Sequence, residues 1–402
     1  MLYMSSLIGI AIGMLSSVIN THALVPEQYG DVRYIQNIIS FISSLLLFGY
    51  FTSGSRLLAL SNDEDYCRRI RGAMCAILGI TQMILMLAML CLYFINFNNS
   101  IAILYLASIP VCGNVIMLNY INTTAQGDNH IGRISMARLL PTSIYVVIAY
   151  FIYREFNATP LLMLLLYNGI AVITLLSIII STKPIFRGLK SSFRILNEEN
   201  KKYGFNVYLG SLTAVSTGYL AGISLGMFCD TNAEVGFYTL ALTLSGPLSM
   251  LPSIIGTTYF KQFASENRIN RKVMLSSIAI TALSLLAFIL LIRFVVAFLY
   301  DESYSTVSTI ASWLAVGVAI HGFGDMLNRF LGAHGMGKEL RNAAFICGGI
   351  LIIGNFLFIY LWGITGAIIT KILSSSGYFL TLLYYYISYT RQINECPKKN
   401  IK

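Results

Sequence analysis

Residues Leu24 to Leu60 read LVPEQYGDVRYIQNIISFISSLLLFGYFTSGSRLLAL. A short polar turn, Pro26-Glu27-Gln28-Tyr29-Gly30, launches an apolar run long enough to cross a bilayer, whose hydrocarbon core takes about 20 helical residues. Arg33, Gln36, Asn37, Ser40, Ser43 and Ser44 recur at spacings of three and four. On a helix they share one face, while Ile, Leu and Phe take the other. A helix with one polar and one apolar stripe inside a membrane faces a cavity. Residues Cys229 to Ala264, CDTNAEVGFYTLALTLSGPLSMLPSIIGTTYFKQFA, repeat the turn and the long helix, with Gly236 answering Gly30. The pattern predicts two tandem bundles around a polar lumen.

Composition agrees with a membrane solvent. Hydrophobic residues make up 56% of the 402 and charged residues 11%, with a mean hydropathy of +0.71; soluble domains carry about 25% charged residues. The formal charge of +10 would suit nucleic acid only if Lys and Arg gathered on a soluble face. They sit instead in short loops between apolar runs, so no nucleic-acid partner is expected. The cysteines (Cys67, Cys75, Cys91, Cys112, Cys229, Cys347, Cys396) show no CxxC spacing and read as small hydrophobes, with neither a disulfide frame nor a metal site. The first apolar segment lacks a positively charged leader and reads as a retained helix, Thr21-His22-Ala23 leaving a cleavable signal as the alternative.

About twelve spans follow from the length criterion, near residues 2–22, 31–58, 73–96, 100–125, 139–153 and 160–181, then 205–228, 236–260, 273–299, 306–331, 342–361 and 364–387. The expected fold class is therefore an all-α polytopic membrane protein with a 1–182 lobe, a basic 183–204 linker, a 205–390 lobe and a 391–402 tail. With the N-terminus cytoplasmic, most Lys and Arg fall in inner segments, including Arg68, Arg69, Arg71, Arg133, Arg138, Lys183, Arg187, Lys190, Arg194, Lys201 and Lys202. The outer loops hold Arg154, so both ends are expected inside.

Six spans per half start each half on the same side, which makes the repeat parallel; secondary transporters place substrate at such a seam. Ser6, Gly9, Gly13, Ser16, Ser17 and Asn20 share a face of the first span, and Asn206, Gly210, Thr213, Thr217, Ala221 and Ser224 share one of the seventh. Such stripes serve helix packing in lipid equally well; their recurrence at the start of each half favours a lumen.

The segment PEQYGDVRYIQNIISFISSLLLFGYFTSGSRLLAL resembles the opening motif of the Wzx-type O-antigen flippases of the multidrug/oligosaccharidyl-lipid/polysaccharide (MOP) superfamily, in which a GPxxYG turn precedes a long helix ending in small residues and an Arg. Here those are Ser53, Gly54, Ser55 and Arg56. NAEVGFYTLALTLSGPLSML is similar to the family's second repeat, and HGFGDMLNRFLGAHGMGK with WGITGAIITKILS resembles its closing pattern. Val25 stands before Pro26 where the family often has Gly. The resemblance implies a MATE-like, two-lobed alternating carrier in the bacterial inner membrane. It would move undecaprenyl-pyrophosphate-linked oligosaccharide units to the periplasmic leaflet, with a polysaccharide polymerase and a chain-length regulator as partner proteins. No cofactor is implied.

A charge at mid-span costs about 2.5–3.5 kcal/mol on insertion scales and generally faces water or a partner. Arg33, Arg56, Arg293, Arg329 and Lys371 are the candidate lumen cations, with Asn20, Gln36, Asn37, Ser40, Thr213, Thr217 and Asn328 as polar lining. Arg33 faces an anionic cargo or snorkels to water. Arg56 meets phosphate with its guanidinium fork or anchors the inner boundary. Arg293 sits near the outer end of its span. Asp325 and Arg329, four residues apart, either neutralise each other or leave Asp325 as an ion-coupling carboxylate, with His321 a relay or a packed ring. Lys371 shares a face with Ser374, Ser375 and Tyr378. The sequence shows no phosphate loop, HExxH or nucleophile elbow. Besides the flippase, two functions stay open: a cation-coupled multidrug exporter, and a membrane enzyme of polysaccharide polymerisation, which would need a large outer loop that the sequence lacks.

Overall fold

The computed structural model describes the backbone of residues 2–395, and their side chains except at 2–6, 131, 210, 211, 213–217, 394 and 395. The described chain is helical, without a strand. In order come α1 (Leu2–Ala23), α2 (Pro26–Leu45), α3 (Tyr50–Leu60), α4 (Glu64–Ile95), α5 (Ala102–Ser108), α6 (Asn114–Gly127), α7 (Ile131–Glu155), α8 (Pro160–Ser181), α9 (Leu189–Glu199) and α10 (Phe205–Phe228). They are followed by α11 (Ala233–Ser245), α12 (Pro247–Thr258), α13 (Phe260–Phe263), α14 (Arg271–Leu299), α15 (Val307–Ala333) and α16 (Gly337–Glu395).

Among the described residues, eight stretches are long and apolar enough to cross a bilayer, and the bent pair α2 and α3 makes a ninth. The last of the eight is α16, whose backbone breaks at Gly363 (φ 54°, ψ −132°) into two arms. Shorter apolar stretches, Leu7–Ala23 and Gly218–Phe228, lie in α1 and α10. Each of the twelve expected spans falls on one of these segments.

Three spans differ in detail from expectation. The second is not one helix: α2 and α3 meet at 59°, across Phe48 (φ 45°) and Gly49 (φ 79°). Gly49 needs both its left-handed backbone and its missing side chain, because a Cβ there would lie 2.3 Å from the Gly204 carbonyl oxygen. The third span starts at Glu64 rather than near 73, because Asp63 Oδ1 accepts from the backbone N–H groups of Asp65 (3.0 Å) and Tyr66 (3.3 Å), capping a helix that begins ahead of the apolar run. The fifth, expected to be short, runs 25 residues and carries Arg133 and Arg138 within the helix.

The chain divides into two compact units, residues 1–223 with 231–236, and residues 224–230 with 237–402. In the first, α1 packs on α7, α7 on α8, and α3 on α6. Residues 183–204 belong to it: Ile185 N–H donates to the Arg68 carbonyl (2.9 Å), and α9 packs on α3 and α4. In the second, α15 packs against α12, α14 and α16. Its core includes Phe263, Met326, Phe330, Leu331 and Leu382, each nearly fully buried.

Candidate functional site

Each unit carries a polar cluster built from side chains on neighbouring helices. In the first, Pro26 occupies the opening turn of α2, where its missing N–H costs nothing. One and two turns on, the helix brings Tyr29, Arg33 and Gln36 onto one face. Arg33 Nε donates to the Tyr29 hydroxyl at 2.9 Å and Nη1 donates to Gln36 Oε1 at 2.9 Å. The guanidinium also stands 5.0 Å from the Tyr29 ring centroid, a cation–π distance. Tyr145 of α7 and Tyr167 of α8 lie within electrostatic reach of it. Their rings meet edge to face at 5.1 Å, and the Tyr145 hydroxyl donates to Asn20 Oδ1 of α1. Among the described residues no carboxylate comes within 4 Å of Arg33. Its sequence neighbour Asp31 accepts instead from Asn232 Nδ2 at 2.7 Å.

Asn20, Arg33 and Gln36 are thus brought together, while Asn37 and Ser40 lie further along α2 beside α10. A Cβ on Gly222 would come within 2.1 Å of Asn37 Nδ2, and Tyr219 stands against Ser40. Thr213 and Thr217 lie outside the described side chains. Arg56 is elsewhere: half exposed (49%), it pairs with Glu199 and stacks over Tyr203 at 5.0 Å. That carboxylate takes Nη1 of the guanidinium.

In the second unit, Tyr378 of α16 is the hub. Its ring stacks on His321 of α15 (centroids 4.8 Å apart, 23° between planes). Its hydroxyl accepts from Asn328 Nδ2 at 2.9 Å and donates to Asp325 Oδ1 at 3.4 Å. A Cβ on Gly324 would meet the ring at 2.5 Å, so glycine lets the two helices close. Lys371 is in electrostatic contact with His321 and Asp325. Among the described residues Asp325 forms no ion pair within 4 Å, and His321 Nδ1 is buried without a hydrogen-bond partner. Arg329 makes no ion pair with Asp325 within 4 Å, although it acts on it electrostatically; it is exposed, its Cγ lying 3.2 Å from where a Cβ on Gly256 would stand. Arg293 is exposed as well and lines a separate cavity of about 720 Å³ with Asp301, Glu302, Ser305 and Thr309.

Tyr145 and Tyr167 are not among the residues expected from the sequence. The available signal is a tyrosine deep in an apolar span, because a buried hydroxyl needs a partner there. Arg71 is expected from the sequence in an inner loop. In the structure Arg71 is in α4 with its side chain only 6% exposed, its two terminal nitrogens 3.1 Å from Glu64 and 3.1 Å from Asp128, itself 6% exposed. Asp128 also takes Arg133 at 3.2 Å.

No protein-family description and no curated protein sequence matches the chain. Solved structures do. An inward-facing multidrug resistance MATE family transporter of the MOP superfamily superposes with a TM-score of 0.69 at 16% identity, covering 97% of this chain and 96% of the other. The lipid II flippase MurJ, in an inward closed conformation, gives 0.71 at 13% identity, covering 98% and 89%. An outward-facing MATE transporter gives 0.58 at 15% identity, covering 98% and 95%. The chain has the all-helical fold of the MOP-superfamily transporters. At these identities the likeness concerns the fold alone.

Proposed function

We propose that the protein is a membrane carrier that moves an undecaprenyl-pyrophosphate-linked oligosaccharide repeat unit from the cytoplasmic to the periplasmic leaflet by alternating access, and that it is not an enzyme. In this reading residues 1–182 and 205–390 are parallel six-helix lobes, 183–204 is the linker, and 391–402 is a tail on the cytoplasmic side with the N-terminus. The cargo is an O-antigen or capsular unit, and the location is the bacterial inner membrane.

The observation that carries the proposal is Arg33. A guanidinium inside a span, held by a tyrosine hydroxyl and an amide oxygen with no carboxylate within 4 Å among the described residues, is a costly feature to retain, and an anionic guest would balance it. Lys371 is the candidate cation of the second unit, with Asp325 in electrostatic contact. The likeness to MurJ, which is itself a lipid II flippase, supports a lipid-linked cargo. The test is flux in proteoliposomes loaded with a fluorescent undecaprenyl-pyrophosphate oligosaccharide, read by quenching from outside with a membrane-impermeant reagent. Redistribution between leaflets that depends on the protein is expected; a distribution equal to that of empty liposomes would overturn the reading.

The half-buried carboxylate Asp325, together with the likeness to MATE multidrug transporters, favours a second reading: a cation-coupled exporter of organic cations. Asp325 would then exchange the coupling ion, with His321 beside it. A drug-susceptibility panel in a strain lacking its own exporters separates the two, since resistance to organic cations belongs only to the exporter.

A further inference from the structure

Helix α9 follows the left-handed Gly188 (φ 75°) and leads through a π-helical turn, Asn200–Gly204, into α10. It has two unlike faces. The inner one is stitched to the break in the second span. Asn197 Oδ1 accepts from the Tyr50 hydroxyl (3.1 Å), Asn200 Oδ1 accepts from Ser53 Oγ (3.0 Å), and Asn200 Nδ2 donates to the Phe48 carbonyl (3.1 Å). Glu199 holds Arg56, and Ser192 and Leu196 are buried against the unit. With that face occupied, the opposite one must point away from the protein.

The outward side of the helix and of the turn that leads into it is apolar and basic together. Phe186, in the turn ahead of the helix, is 54% exposed, and Phe193, whose ring also stacks on Tyr50 at 6.2 Å, is 40% exposed; Arg187, Lys190 and Arg194 stand exposed around them. The acids of this helix do not cancel the surface. Glu199 is turned inward to Arg56, and Glu198 pairs at 3.2 Å with Arg194 alone. Arg187, Lys190, Lys201 and Lys202 form no ion pair within 4 Å among the described residues.

Exposed aromatic rings set among unpaired cations match one environment: an interface where acyl chains receive the rings and phosphate groups the cations. An acidic protein would satisfy the cations but leave Phe186 facing charge. The helix also lies at a membrane boundary, because it directly joins two spans and Arg68, in the first turns of α4, donates its Nε to the Lys183 carbonyl (2.9 Å).

We propose that the outer face of α9 docks on anionic phospholipid headgroups of the adjoining leaflet. The inference does not rest on the identity of the cargo.

The experiment is amide hydrogen exchange on the full chain in nanodiscs of phosphatidylcholine, with and without phosphatidylglycerol. Phosphatidylglycerol is expected to slow exchange across residues 186–199 by about fivefold or more, the effect of roughly one cation at an anionic surface. The slowing should vanish in the Arg187→Glu/Lys190→Glu variant, whose substitutions lie on an exposed face, and should weaken at high salt. Equal exchange in the two lipid compositions would overturn the proposal and leave a protein partner as the occupant. A slowing that survives the double substitution, or that inorganic phosphate reproduces in phosphatidylcholine discs, would overturn it too. A negative result in the cargo flux assay leaves this measurement untouched, so the two proposals fail separately.

Discussion

The backbone carbonyl oxygen of Asn232 occupies the space beside Gly30: a Cβ on that glycine would fall 1.7 Å from it, while the Asn232 side chain donates to Asp31 at 2.7 Å. Gly236, which the sequence pairs with Gly30 as the same position of a repeat, packs directly against it, its Cβ position 3.2 Å from the Gly30 nitrogen. A carbonyl cannot rotate away as a side chain can. Gly30→Ala is therefore expected to destabilise the protein by about 1–3 kcal/mol, the usual range for overpacking, and Gly236→Ala by less. Thermal unfolding in detergent measures both; an unchanged midpoint for Gly30→Ala would refute this packing.

Arg71 ties the start of α4 to Asp128 beyond the end of α6 and to the Thr182 carbonyl (3.3 Å) at the end of α8. Arg71→Ala would strand the buried Asp128 carboxylate, with Arg133 as its remaining partner. Removing one partner of a buried pair costs about 3–5 kcal/mol. A double substitution, Arg71→Met with Asp128→Leu, should recover much of that loss, because an apolar replacement of the whole pair removes the stranded charge. Unfolding midpoints of the two variants give the comparison directly.

Arg33→Ala is expected to lower cargo flux at least about tenfold, as the loss of one charge-assisted hydrogen bond of about 1.5–3 kcal/mol implies. Its unfolding midpoint should stay close to that of the parent. Arg33→Lys should restore part of the flux, since the charge returns but the two-nitrogen geometry towards Tyr29 and Gln36 does not. Full flux in Arg33→Ala would remove Arg33 from the transport path.

Asp325→Asn keeps an oxygen to accept from the Tyr378 hydroxyl and removes the charge. If the carboxylate exchanges a proton during transport, the variant loses the pH dependence of flux while its folding is retained. Flux measured across a pH series decides it; an unchanged profile assigns Asp325 to the structural support of Tyr378.

Where the sequence could be read, physical periodicity made it legible. The polar stripe on Arg33 and Gln36 survives in the structure because residues three and four apart on a helix share a face whatever surrounds them. The break at Phe48–Gly49 was not legible: its cause is the close approach of Gly204, more than 150 residues away, and the local FGYF reads as continuous helix. The partner of Arg56, Glu199, was not legible either, because it lies in another segment. The Arg71–Asp128 pair was hidden for the same reason, each residue reading alone as an ordinary loop charge.

Composition and hydrophobic spacing by themselves determined that this is a chain of membrane-length helices with a repeated turn-and-helix opening. Burying apolar residues in lipid while closing every backbone hydrogen bond within the segment leaves few other solutions. Which polar side chains meet was decided only in three dimensions. Asn20 with Tyr145, Arg33 with the tyrosines of α7 and α8, and Tyr378 with His321 and Asp325 come from different helices. Their pairing depends on the rotation and approach of packed helices, and glycines such as Gly324 set that approach by what they lack.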